Sequence, residues 1–60
     1  MKVIGMLIGT YTVSCWHDVT NISVTSTAIT ITGILEGSNA TQATTYTLDK
    51  SRYIVRIIEN

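Results

Sequence analysis

The sequence has no proline, no phenylalanine and only one cysteine among its 60 residues. A single thiol excludes a disulfide within the chain, and it excludes a zinc site built from several thiolates. Charge of either sign is also scarce, because four Lys and Arg balance four Asp and Glu. This balance excludes a strongly basic nucleic-acid-binding arm and the acidic surface of a DNA mimic. With neither a disulfide nor such a metal site, so short a chain depends on close packing or on oligomerisation.

Long hydrophobic runs are missing as well. No segment approaches the ~20 apolar residues that span a bilayer. The apolar stretch that follows Met1 and Lys2 is at the lower length limit for a signal peptide, and Thr12 stands where a lipoprotein cleavage site has an aliphatic residue. We therefore expect one domain over residues 1–60, in the reducing cytoplasm and without a membrane partner.

The residues that are abundant favour β structure. Eleven residues are Thr, and many of them alternate with Ile, Val or Tyr, which is the composition of strands. Alternation predicts two strands at residues 3–8 and 10–16, or one sharply curled strand, and further strand segments at residues 22–25, 29–32 and 44–48. Polar clusters predict turns at residues 17–21, 26–27, 36–39 and 49–52. Residues 53–59 fit either a short helix or a strand, and their β-branched and aromatic content favours the strand. The fold class is therefore all-β, a small antiparallel barrel of five or six strands and of SH3-like size, with oligomerisation as a means of completing it.

The segment Cys15-Trp16-His17-Asp18 has the greatest density of reactive side chains. A Cys and His pair can act as nucleophile and base, and His with Asp can begin a metal site. However, the neighbouring sequence supplies no third group to orient the pair or complete the ligands, so we expect no catalytic residue, no metal and no cofactor. Cys15 shares its alternation phase with Tyr11 and Val13, which predicts a buried, reduced thiol in the core.

Three of the four cations lie within residues 50–56. A turn that carries Lys, Ser and Arg beside a Tyr can hold a phosphate, because guanidinium, hydroxyl and backbone N–H groups all donate to anion oxygens. The sequence therefore predicts an anion site, with a phosphate-bearing small molecule as its ligand, at Lys50, Ser51, Arg52, Tyr53 and Arg56.

The last predicted strand is apolar on both faces. The uncharged row of Tyr53, Val55 and Ile57 is expected to face the core. The other row, in which Ile54 and Ile58 flank Arg56, is expected to face outward as part of an interface. Trp16 fits either the core or that interface.

These patterns indicate a non-enzymatic binding module that acts as a homo-oligomer. Its size and composition are typical of small bacterial or phage accessory proteins, which block a host protein or sequester an anionic ligand. The alternative is an SH3-like nucleic-acid-binding protein that uses Tyr46 and Trp16 with the predicted anion site. Zero net charge disfavours that alternative, because phosphate neutralisation supplies most non-specific affinity for nucleic acids.

Overall fold

A computed structural model describes residues 1–59, which form five antiparallel strands in one sheet. The strands are β1 (Lys2–Leu7), β2 (Val13–Val24), β3 (Ala28–Leu35), β4 (Thr44–Asp49) and β5 (Tyr53–Glu59). Their order across the sheet is β4-β3-β2-β1-β5. The predicted all-β, antiparallel class is confirmed, and the C-terminal segment is a strand rather than a helix.

The predicted barrel is not confirmed, because β4 and β5, the edge strands of the sheet formed by residues 1–59, do not pair with each other. The sheet is nevertheless strongly curled. A Cβ atom placed on Gly5 in β1 would lie 3.4 Å from the Leu48 Cδ1 atom in β4, although two strands separate β1 from β4 in the sheet order. Curling therefore gives the sheet an inner face, which holds the core, and an outer face.

The core lies on the inner face and centres on Trp16, of which 2% is exposed. The indole lies over β1, where a Cβ on Gly5 would be 3.0 Å from its Cζ3 atom. Its ring centroid is 5.7 Å from that of Tyr46, at a tilt of 58°. Trp16, which the sequence left open between core and interface, is thus a core residue. The other buried apolar residues of the described chain are Val3, Val19, Ile29 and Ile31.

The predicted turn at residues 17–21 is wrong, since β2 runs through it without ending. The segment forms an irregularity in which the register with β3 shifts between His17 and Asn21. Asp18 adopts a φ of 52°, in the left-handed region that Asp tolerates better than most residues. The shift changes which positions face inward, so that both Trp16 and Val19 are buried although they are three positions apart.

Candidate functional site

The predicted anion site lies at the turn between β4 and β5, and its donors already bind a carboxylate of the chain itself. The Asp49 Oδ1 atom accepts hydrogen bonds from the Ser51 backbone N–H at 3.0 Å and from the Ser51 hydroxyl at 2.7 Å. The Arg52 Nε atom is 3.8 Å from Asp49 Oδ2. An external phosphate would therefore compete with Asp49 for the donors that the sequence assigned to it.

Of the remaining residues of the predicted anion site, Lys50 lines the same cavity as Ser51, whereas Tyr53 and Arg56 do not line it. The Lys50 ammonium donates to the Thr25 carbonyl at 3.5 Å, and Lys50 lines a cavity of about 280 Å³. Tyr53 and Arg56 are on opposite faces of β5, because they are three positions apart along the strand. Four residues along an extended strand, roughly 13 Å, separate Arg56 from Arg52. The cavity is lined by Ser26, Thr27, Asp49, Lys50 and Ser51.

Asp49 makes the stability of this turn dependent on pH. The hydrogen bonds from the Ser51 hydroxyl and backbone N–H hold the pKa of Asp49 below its ordinary value, and the charge of Arg52 adds to the effect. Because the folded-state pKa is the lower one, the ionised carboxylate stabilises the fold at neutral pH. That stabilisation is lost as the pH falls below about 4, where an unfolded Asp side chain takes up its proton.

We expect Asp49→Asn to lower the melting temperature at pH 7 and to flatten its decline between about pH 4 and pH 2. Ser51→Ala, which keeps the carboxylate and removes one of its donors, should give an intermediate profile. The measurement is thermal unfolding followed by circular dichroism at half-unit pH intervals. Parallel profiles for the Asp49→Asn variant and the natural chain would show that the carboxylate does not support the fold.

The Cys15 and His17 side chains face outward, which corrects the expectation that Cys15 belongs to the core. Cys15 pairs with Ile4 across the β1–β2 ladder, on the face opposite to the Val3 and Trp16 pair, and it is only half-buried. Burial raises the pKa of its thiol, as do the charge of Glu36 and a hydrogen bond to that carboxylate, whereas Lys2 lowers it. Within residues 1–59 no three His, Cys, Asp or Glu side chains are grouped as metal ligands.

An apolar stripe crosses the outer face of three adjacent strands. Met6 in β1 pairs with Val13 in β2 on one side and with Ile54 in β5 on the other. These three side chains are exposed by 38%, 53% and 47% respectively. The next row of the same face places Ile4 between Cys15 and Arg56. We call Val13, Met6, Ile54, Ile4 and Cys15 the apolar stripe.

The outer face of β3 and β4 is mostly polar, with Ile34 as an apolar exception opposite His17. The hydroxyls of Thr32 and Thr45 are 3.0 Å apart there, and Thr30 lies opposite Thr47. Adjacent strands of one sheet therefore present two kinds of outer surface, one rich in hydroxyl groups and one apolar. Because water solvates the first better than the second, the contrast marks the apolar stripe as the candidate interaction surface.

The apolar stripe includes two residues that the sequence analysis assigned otherwise. Val13 was placed with the core, and Met6 was given no role. Their contribution depends on the pairing of Met6 with Ile54, which is 48 positions from Met6 and 41 from Val13, and no local pattern contains that information. The predicted interface residue Ile58 is also exposed, and it lies at the irregularity where the β1–β5 register shifts.

Two of the four cations lie near carboxylates. The Lys2 Nζ atom is 3.5 Å from Glu36 Oε1, and Arg52 is near Asp49 as described above. These contacts reduce the positive charge that the surface offers to a nucleic-acid backbone. None of the described residues forms a helix with the length and hydropathy needed to cross a membrane.

Comparison with protein-family models, curated proteins and solved structures finds no match to this chain. Its function is therefore inferred from its own surfaces.

Proposed function

We propose that this protein is a non-enzymatic interaction module that acts as a homo-oligomer. The observation that carries the proposal is the distribution of large apolar side chains on the surface. Among the exposed ones of the described chain, all except Val24 belong to residues 1–13 or 54–58. Since β1 and β5 are adjacent strands, these side chains are concentrated in one region instead of being scattered as on an ordinary surface.

The small core gives the chain a physical reason to associate. Domains of this length bury only about 60% of the surface that the unfolded chain exposes, and their stability is correspondingly marginal. Ile57 is an example of this incomplete burial, because it pairs with the buried Val3 and yet remains 55% exposed beside the open edge of the sheet. Association through this region would bury the apolar side chains that the open sheet leaves exposed.

A protein partner suits this surface better than an anionic ligand, because Asp49 already binds the donors of the predicted anion site. We propose that the oligomer blocks a partner protein, as small bacterial or phage accessory proteins do. The cytoplasm, where a lone thiol stays reduced, is the proposed compartment.

The test of self-association is sedimentation velocity between low and high micromolar concentration. We expect the natural chain to sediment as a particle heavier than the 6.6 kDa monomer. Ile54→Lys and Ile58→Lys should each give a smaller particle with unchanged β circular dichroism, because each places a charge among apolar side chains at the contact. Thr47→Lys, on the polar part of the outer face, is the matched control and should leave the particle size unaltered.

A natural chain that remains a monomer at several hundred micromolar would refute the proposal. So would a loss of association in Thr47→Lys equal to that in Ile54→Lys, since association would then depend on general charge rather than on the exposed apolar region.

A further inference from the structure

We propose that the apolar stripe packs against the same stripe of a second copy, around a two-fold axis that runs along β1, so that Arg56 of each copy meets Glu36 of the other. This inference rests on the proposed homo-oligomer and specifies its interface. It is carried by the arrangement of charges around the apolar stripe, which is complementary to itself.

The two key charges lie on opposite sides of β1. Arg56 is on the outer face of β5, directly across from Ile4. The Glu36 carboxylate is on the other side, where it lies 3.5 Å from the Lys2 ammonium, and the Glu36 backbone N–H donates to the Cys15 carbonyl at 2.8 Å. Lys2 is two positions before Ile4 in β1 and therefore shares its outer face, so the contact with Lys2 places the Glu36 carboxylate beside that outer face.

A two-fold axis along β1 exchanges these two sides. Strands in a sheet are about 4.8 Å apart, so the rotation places β5 of one copy over β2 of the other, with Met6 over Met6 at the centre. Val13 then faces Ile54 of the second copy, and Arg56 faces the neighbourhood of Cys15 and Glu36. Sheets that pack face to face about 10 Å apart leave space for such side chains to interdigitate, and a long Arg side chain can cross that distance.

The overall charge of this face also permits self-packing. Lys2 and Glu59 pair across the β1–β5 ladder, so that Lys2, Arg56, Glu36 and Glu59 sum to zero. Two copies of a neutral face do not repel each other, whereas a face of one sign would. Pairing of β5 edges, the other way to form a dimer, would leave Val13, Met6 and Cys15 uncovered.

Charge reversal tests the pairing of Arg56 with Glu36. Because each dimer contains the contact twice, Arg56→Glu alone and Glu36→Lys alone should each weaken the dimer by at least about tenfold in sedimentation equilibrium. The double variant restores opposite charges across the interface and should return to within about threefold of the natural chain. Arg52→Glu, at the turn and away from the stripe, is the matched control and should not weaken the dimer.

Cys15 supplies a second readout that needs no mutation. In the proposed dimer the thiol is covered, so a maleimide should label it more slowly as the protein concentration rises through the dissociation constant. In a dimer formed by β5 edges the labelling rate would not depend on concentration.

The outcomes separate this inference from the proposal on which it rests. A natural chain that stays monomeric overturns both. A natural chain that associates, but whose double variant is not rescued or whose Cys15 is labelled at a constant rate, overturns this interface and leaves the homo-oligomer in place. Rescue together with protection of Cys15 supports the interface.

Discussion

Replacing Trp16 with alanine is expected to unfold the protein at 25 °C. Trp16 is 2% exposed and contacts the inner face from β1 to β4. Truncation of a buried Trp costs about 3–5 kcal/mol, because the lost burial is compounded by a cavity that neighbours fill only partly. A folded chain of this length has about 3–9 kcal/mol of stability in total. We expect the β circular dichroism of the variant to be lost or its melting temperature to fall below ambient.

Trp16→Phe is the matched variant, and it should remain folded. The indole Nε1 atom is buried and has no hydrogen-bond acceptor among the described residues, so the natural side chain already carries the cost of an unsatisfied donor. Phenylalanine keeps an aromatic ring against Tyr46 and removes that donor. Thermal unfolding should therefore place it much closer to the natural chain than to Trp16→Ala. Equal losses in the two variants would contradict this account of the core.

Gly33→Ala is expected to have the second-largest effect, although it adds only one methyl group. A Cβ atom at this position of β3 would lie 2.8 Å from the Val19 Cγ2 atom and 3.1 Å from the His17 carbonyl oxygen. The first contact is with a stiff β-branched side chain and the second is with backbone, so neither can yield without moving β2. Overpacking of this kind costs about 1–3 kcal/mol, which a urea titration measures directly.

Removing one of the two obstacles tests the cause. In the double variant Gly33→Ala with Val19→Ala, the clash with the Val19 side chain is gone and only the backbone contact remains. We expect the double variant to be more stable than the sum of the two single losses predicts, by a coupling of roughly 0.5–3 kcal/mol. Strictly additive losses would show that the β2 irregularity does not press on Gly33.

The sequence by itself determined the strand content and the positions of most turns. Period-2 alternation of Thr with Ile and Tyr is a local property, and it correctly identified β3 and β4. The β-branched and aromatic composition of residues 53–59 correctly predicted a strand there, although the spacing of their apolar residues also fits a helix. The assignment of Tyr53 and Val55 to the inner face also agrees with their pairing with Leu7 and Gly5.

The irregularity at Asp18 was decided by tertiary structure. A polar cluster between two strands and a polar cluster inside one strand look alike in sequence, because both need residues that tolerate unusual φ values. Only the burial of Val19 against Gly33 shows that the strand continues. The face of Cys15 was predicted wrongly for another reason: Val13 and Cys15 do share a face, but the pairing of β2 with β1 makes it the outer one, because Trp16 lies opposite the buried Val3 on the inner face.

The two candidate surfaces were also decided by tertiary structure, for the same physical reason. From the sequence, the cations at residues 50–52 were predicted to bind an external anion. The turn geometry instead places Asp49 within hydrogen-bond distance of Ser51. The apolar stripe exists because β1 pairs with both β2 and β5, which brings Val13 and Ile54 to either side of Met6. Alternation along a chain states which residues share a face of one strand. Which strands lie side by side, and which face remains uncovered, depends on pairing between distant segments that no local pattern encodes.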